Sequence, residues 1–329
     1  MTIRKCAAVL VLAAVTSTSP SLEAIEEGDG PRPILVDTDI CAAVDDVAAL
    51  AMANVMHSRG EARLLGVLVD TRGDAGAAAV DVVNTYYGHP DIPIGALQPT
   101  DASVCEEYAH DYVGRLVERF PHDLAGGSSA ENAVRLYRKL LAAEKDRSVV
   151  ILSLGAATNL SALLDSRPDE HSALSGAALV RAKVARMVMM GGQYPRSDTP
   201  EFNFALDPAG TRRLMHDWPT PIVFSGGESS IKVGKRVSTQ APAGSPVRAA
   251  FEIGFGAGID NDVWDVLPVL YAVRGNRHFT AVRCGFNRIA DDGSNQCVPA
   301  ASENQQYLRF SDPSGQVAAS IEDMLLGAP

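Results

Sequence analysis

Pro33-Ile34-Leu35-Val36-Asp37-Thr38-Asp39-Ile40-Cys41-Ala42-Ala43-Val44-Asp45-Asp46-Val47-Ala48-Ala49-Leu50 is the stretch whose reading decides the fold. Ile34 to Val36 is a short apolar run of the kind that makes a fully buried parallel strand. Val44 to Met56 is rich in Ala, Val, Leu and Met and lacks Pro and Gly, which predicts a buried helix. Four carboxylates, Asp37, Asp39, Asp45 and Asp46, sit at the junction. In an open α/β sheet, ligands bind in the crevice at the carboxyl ends of the strands. Acids this close repel one another unless a cation sits among them, and oxygen ligands suit Ca²⁺ or Mg²⁺. A plainer reading accounts for Asp45 and Asp46 alone, as acids favoured at a helix N-terminus by the macrodipole.

The pattern continues outward. Arg63 to Val69 reads as a second buried strand, Ala77 to Tyr87 as a helix ended by Gly88 and Pro90, and Ile92 to Gly95 as a third strand. Glu106 to Arg119 and Ala130 to Lys145 read as amphipathic helices, the second with Ser129 as a plausible N-cap. Ser148 to Leu152, Val184 to Met190 and Pro221 to Phe224 are further strands; Asp207-Pro208 caps a helix to about His216, and Val266 to Arg274 is another helix. His278 to Phe310 reads as turns and short strands, and Val317 to Leu326 as a closing helix. Alternating β and α elements predict an α/β fold with an open, mostly parallel, doubly wound sheet flanked by helices and joined by right-handed crossovers. The chain has 329 residues and 46% hydrophobic content, which suits a single large domain over residues 25–329.

Residues 1–24 carry a basic start, an apolar run from Cys6 to Val15 and a small-residue cleavage site around Ser21 to Ala24. This reads as a signal peptide and predicts a secreted or periplasmic protein. No later stretch is long and apolar enough for a membrane span. The formal net charge of −11 argues against nucleic-acid polymers, which need a positive field, and fits a small uncharged or cationic substrate. Of the five cysteines, Cys284 and Cys297 are the closest pair in sequence; export permits a disulfide between them, and the alternative is that all act as small buried hydrophobes.

Asp37-Thr38-Asp39, a gap, and Asp45-Asp46-x-x-Ala49-Leu50 resemble the opening signature of the nucleoside hydrolase family, the inosine–uridine type of N-ribohydrolase, in a branch with a longer loop. The branch usually has Gly and Asp in the gap, where this chain has Cys41 and Ala43. Three further motifs follow in order: Gly155-x-x-Thr158-Asn159-Leu160, Met190-Gly191-Gly192 with Glu201-Phe202-Asn203 and Asp207-Pro208, and Trp264-Asp265 before a helix. The resemblance covers residues 33 to 275 and implies a nucleoside-hydrolase-like domain that cleaves ribonucleosides, as in purine and pyrimidine salvage. It implies Ca²⁺ held by Asp39, Asp46, Asp265 and the backbone carbonyl of Thr158. It implies ribose contacts from Asp45, Glu201 and Asn203, with Asp37 orienting the loop from behind. The family's Asn after the second strand has no counterpart in Arg72-Gly73-Asp74, and its His before the last Asp is replaced by Trp264. Family members commonly oligomerise, so a homo-oligomer is among the partners the resemblance allows.

The residues fit that chemistry. Asp39 would act as general base toward a metal-bound water. Cleaving an N-glycosidic bond develops an oxocarbenium-like sugar, which a carboxylate cluster stabilises. A mixture of acceptors and one amide suits vicinal hydroxyls. Trp264 offers a π face to stack on a base, or is a core Trp near a helix start. Two other readings stand beside this one: an exported protein of the same fold that binds nucleosides without cleaving them, and a phosphatase that uses the Asp37-x-Asp39 pair.

Overall fold

In the computed structural model, which describes residues 30–101, 111–301 and 304–327, strand β1 (Arg32–Thr38) runs through the middle of the molecule. Ile34, Leu35 and Val36 are fully buried, as a parallel strand covered by helices on both faces requires. Helix α1 (Asp45–Ser58) follows and is buried from Asp45 to Met56. Its surface is apolar all round, which marks a helix packed on every side. The chain then alternates through β2 (Ala62–Val69), α2 (Asp74–Tyr86), β3 (Ile94–Ala96), α3 (Tyr112–Arg119), β4 (Glu131–Asn132) and α4 (Ala133–Ala143). A second run holds β5 (Val149–Ser153), α5 (Thr158–Asp165), α6 (Gly176–Lys183), β6 (Val184–Met190), β7 (Arg196–Ser197), α7 (Phe202–Leu206), α8 (Pro208–Asp217) and β8 (Ile222–Ser225). The last part comprises β9 (Ile231–Val233), α9 (Lys235–Gln240), α10 (Pro246–Gly254), β10 (Asn261–Val263), α11 (Val266–Arg274), β11 (Phe279–Arg283), β12 (Phe286–Ile289), β13 (Asn295–Val298), β14 (Gln305–Phe310) and α12 (Ser314–Leu325).

Nine strands form the main sheet in the order β11-β14-β8-β6-β5-β1-β2-β3-β4. Every pairing is parallel except β11 with β14. The chain winds outward from β1 in one direction, returns to β5 on the other side of β1, and winds outward again. The reversal lies between β1 and β5, where Asp37 pairs with Ser153 at the strand ends. That is the switch point at which an open α/β sheet holds its ligands. Alternation along the strands divides the core. Ile34, Val36, Val67 and Leu152 face α1 and α11, whereas Leu35, Leu68 and Ile151 face α4, α5 and α6.

The expected doubly wound sheet is therefore present, with differences at its margins. The helix expected from Ala130 begins at Ala133, because Glu131–Asn132 stays extended to pair with β3. Its cap is Asn132, whose Oδ1 accepts the amides of Val134 and Arg135, and not Ser129. Residues 278–310 do more than turn: β11 and β14 extend the main sheet, while β12 and β13 join β7 in a separate small sheet. Cys284 and Cys297 are joined by a disulfide that ties the end of β11 to β13. Cys41, in the β1–α1 loop, is also disulfide-bonded. The first half of the helix expected from Glu106 and the leader over residues 1–24 lie outside the described residues. No described helix is long and apolar enough to cross a membrane.

Candidate active site

The four acids of the opening stretch gather at the carboxyl end of β1, all buried. Asp45 and Asp46 occupy the first turn of α1. Asp45 Oδ2 accepts the backbone amides of Trp264 at 2.7 Å and Asp265 at 3.3 Å, the free N–H groups at the start of α11. This long-range cap joins the N-termini of α1 and α11, and it brings Asp265 to the loop although 219 residues separate it from Asp46 in sequence. One oxygen from each of Asp45, Asp46 and Asp265 lies within 4.8 Å of the others. Asp39 stands beside this trio, in hydrogen-bonding contact with Asp46, whose Oδ1 also accepts the hydroxyl of Thr38. Asp260 and Asp262 are spent elsewhere, on the Lys235 amide and on Ser230 and Lys232, so Asp265 is the acid this segment gives to the cluster.

Burial sets the electrostatics. It pushes the Asp39 carboxyl up to about 7, helped by the charge of Asp45. Asp46 and Asp265 are raised well above the carboxylate range, first by burial and then by the neighbouring acids. Asp45 is raised by burial against the pull of the Trp264 and Asp265 amides. Two helix N-termini offset part of this charge, but no Lys or Arg is in contact with the cluster among the described residues. Asp46 Oδ2 is buried without any partner. A set of hard oxygen donors with an orphaned buried carboxylate oxygen fits a divalent cation, whose charge removes the mutual repulsion.

Behind the cluster, Asp37 accepts the Tyr137 hydroxyl at 2.6 Å and the Asn159 amide at 3.2 Å, both on the far face of the sheet. Burial lifts it to about 7. Both contacts tie the end of β1 to α4 and α5. Beside Asp37 lies Asp70, buried at the end of β2 in hydrogen-bonding contact with it, its pKa raised by burial and by the charges of Asp37 and Asp39. Asp70 belongs to none of the sequence motifs. Its signal was an acid placed directly after the Val67-Leu68-Val69 run, at the carboxyl end of the strand next to β1.

Glu201 and Asn203 come from the β6 side. Glu201 caps α7: its carboxylate accepts the amides of Gly192, Asn203 and Phe204. Gly192 makes this possible, since its backbone has φ +75° and a Cβ there would meet the Tyr194 hydroxyl at 2.7 Å. Asn203 donates to the Leu154 carbonyl at 2.7 Å. Both residues line a cavity of about 350 Å³ together with Asp39, Asp45 and Asp265. The remaining wall is largely apolar, with Ala42, Ala43, Met190, Phe202 and Trp264. Trp264 is half-buried and spends its indole N–H on the Gly227 carbonyl at 2.8 Å, leaving only its π face to the cavity.

Thr158 is placed differently from the expectation. It begins α5, its hydroxyl donates to Asp207, and it does not line the cavity. The residue of this loop that reaches the cavity is Leu154, four positions earlier at the end of β5. The reason is local: by Thr158 the chain has turned into the helix and left the strand edge. Arg72-Gly73-Asp74 likewise stays outside. Asp74 accepts the Thr100 hydroxyl and the Ser128 amide and so fastens the start of α2.

The sequence model of the inosine-uridine preferring nucleoside hydrolase family matches residues 34–272. A pyrimidine-specific ribonucleoside hydrolase, RihA of Salmonella schwarzengrund, is 28% identical over 200 residues, 59% of this chain and 60% of the relative. RihA of Salmonella paratyphi A is 28% identical over 215 residues, 64% of this chain and 62% of the relative. The matched stretch thus spans about three fifths of these curated relatives. The fold is shared with an inosine-uridine preferring nucleoside hydrolase from Bacillus anthracis (TM-score 0.61, 17% identity, 90% of this chain and 99% of that one). It is shared as well with the plant nucleoside hydrolase PpNRh1 (TM-score 0.66, 16% identity, 91% and 100%) and with the type III effector XopQ complexed with adenosine diphosphate ribose (TM-score 0.67, 19% identity, 91% and 94%).

Proposed function

The chain belongs to the inosine-uridine preferring nucleoside hydrolase family, and on that footing we propose that it hydrolyses the N-glycosidic bond of ribonucleosides to free base and ribose. The observation that carries the reading is the convergence of Asp45, Asp46 and Asp265, with Asp39 beside them, at one end of a cavity whose remaining wall, past Glu201, Asn203 and Gln193, is largely apolar. A nucleoside has the matching polarity: a hydroxyl-rich sugar joined to a flat aromatic base.

Asp39, Asp46 and Asp265 would hold Ca²⁺, and the backbone ligand from the β5 loop would be the carbonyl of Leu154 instead of Thr158. When bound, the cation supplies Lewis-acid chemistry by lowering the pKa of a water and fixing its position. Asp39 takes the proton of the attacking water as general base. Asp45 has one oxygen committed to the α11 amides and the other free for a ribose hydroxyl. Glu201 and Asn203, both held by backbone partners, present a carboxylate and an amide oxygen to the sugar. The clustered carboxylates stabilise the positive charge that the sugar develops as the bond to the base breaks. Direct attack by water gives inversion at the anomeric carbon. Export through a leader over residues 1–24 belongs to the proposal, supported by the Cys284–Cys297 disulfide, which suits an oxidising compartment.

The test is a reducing-sugar assay with uridine, cytidine, inosine and adenosine in the presence of Ca²⁺. Release of ribose from at least one is expected. The relatives named for pyrimidine specificity make uridine and cytidine the first to try. Nucleoside binding without ribose release would make the protein a binder instead, and release of phosphate from an aryl phosphate alone would favour the phosphatase reading.

A further inference from the structure

Among the described residues that line the cavity, Gln193 is the one uncharged polar side chain with no hydrogen bond of its own. The other amide there, Asn203, is spent on the Leu154 carbonyl and on Met190. Asp39, Asp45, Glu201 and Asp265 belong to the sugar and cation end. Gln193 lies over Gly227 and next to Glu201: a Cβ on that glycine would stand 3.4 Å from Gln193 Cγ and 3.6 Å from both Gln193 Nε2 and Glu201 Cγ. The carbonyl of the same Gly227 holds the Trp264 indole N–H. Gln193 and Trp264 therefore flank one bare glycine, with an amide on one side and an aromatic ring on the other.

The backbone at Gln193 is anchored unusually well for a loop. Its N–H donates to Asn295 Oδ1 at 2.8 Å, Asn295 Nδ2 donates to Asn287 Oδ1 at 3.0 Å, and Asn287 Nδ2 donates to the Tyr194 hydroxyl at 2.9 Å. Asn287 and Asn295 are buried on β12 and β13, the hairpin tied to β11 by the Cys284–Cys297 disulfide. A relay of buried amides fixes position because each unmade bond would leave a desolvated polar group.

We infer that the side-chain amide of Gln193 hydrogen-bonds the edge of the base and makes the enzyme select for leaving groups that carry carbonyl or ring-amide groups. This rests on the hydrolase reading. An amide donates and accepts at once, so it pairs with the carbonyl and N–H edge of uracil or hypoxanthine and with the carbonyl or amino group of cytosine. The carboxylates nearby, when ionised, only accept. The apolar wall fixes the plane of the base, and Gln193 fixes which edge faces inward.

The experiment compares kcat/KM for uridine, cytidine, inosine and 4-nitrophenyl β-D-ribofuranoside, whose leaving group has no amide edge. Gln193→Leu is expected to lose about 10-fold on the nucleosides, the worth of one neutral hydrogen bond, and to stay within about 2-fold on the nitrophenyl riboside. Equal losses on both substrate types, or none on either, would overturn the inference. Gln193→Glu gives an independent check, because its carboxylate cannot donate to a base carbonyl: the ratio of nucleoside to nitrophenyl riboside kcat/KM should fall. An unchanged ratio would count against base contact. Wild-type protein that cleaves neither a nucleoside nor the nitrophenyl riboside would sink the hydrolase reading, and this inference with it.

Discussion

Removing the cation should make the protein acid-loving. In the metal-free fold, burial and mutual repulsion lift the Asp39 carboxyl from 3.8 to about 7. Well below pH 4 the carboxyl is protonated in both folded and unfolded chains. As pH rises, the unfolded chain releases its proton first, so the folded state is penalised progressively until pH passes 7. Between pH 5 and pH 8 one such carboxyl removes about 2 to 3 kcal/mol of stability. Asp45, Asp46, Asp70 and Asp265 are shifted in the same direction, so this is the smallest expected loss. At about 2 °C per kcal/mol for a chain of this size, Tm should fall by roughly 5 °C or more over that range. A divalent cation binds the ionised cluster, so Ca²⁺ should restore stability at pH 8 and do little at pH 5. At 100-fold over its Kd the restoration is about 2.7 kcal/mol. The assay is thermal unfolding of chelator-treated protein at pH 5 and pH 8, with and without added Ca²⁺. A chelated protein that is more stable at pH 8, or one that gains equally from Ca²⁺ at both pH values, would refute the assignment of these acids to a cation site.

Other outcomes follow from single contacts. Asp39→Asn should lower kcat by about 10³-fold or more with the fold retained, which steady-state kinetics and circular dichroism would check; near-normal turnover would remove Asp39 as base. Asp265→Asn should stabilise the chelated protein at pH 8 and abolish its Tm response to Ca²⁺, since it removes a buried charge and a ligand together; a retained response would place the cation elsewhere. Trp264→Ala should lower turnover of inosine more than of uridine, by about 3-fold to 10-fold for the lost stacking, and equal effects would dismiss the stacked base. Arg138 is buried on α4 and ties the 166–174 loop through Asp169, Ser166 and the Ser172 and Leu174 carbonyls. Arg138→Met should cost about 3 kcal/mol in denaturant unfolding without changing kcat per folded molecule. Because Arg138 holds the Asp169 carboxyl well below the usual range, the contribution of this pair should fade as the pH falls below the carboxylate range.

The sequence by itself determined the winding of the sheet and the acids at its switch point. Both are local facts: an apolar strand too short to be anything else, a helix apolar on every side, and carboxylates at the turn between them. The order of the later motifs did the same for Glu201, Asn203 and Asp265, and cysteine spacing pointed to the Cys284–Cys297 bridge. Only the tertiary structure decided which atoms meet. Asp265 and not Asp262 reaches the cluster because Asp45 caps α11 from the far end of the chain. Leu154 and not Thr158 lines the cavity because the chain has turned into α5 by Thr158. Asp70 comes to Asp37 through the parallel register of β1 with β2, and Gln193 is set beside Trp264 by a hairpin a hundred residues downstream. A sequence pattern reports what each segment buries; convergence of distant side chains depends on register and long-range capping, and neither leaves a periodicity to read.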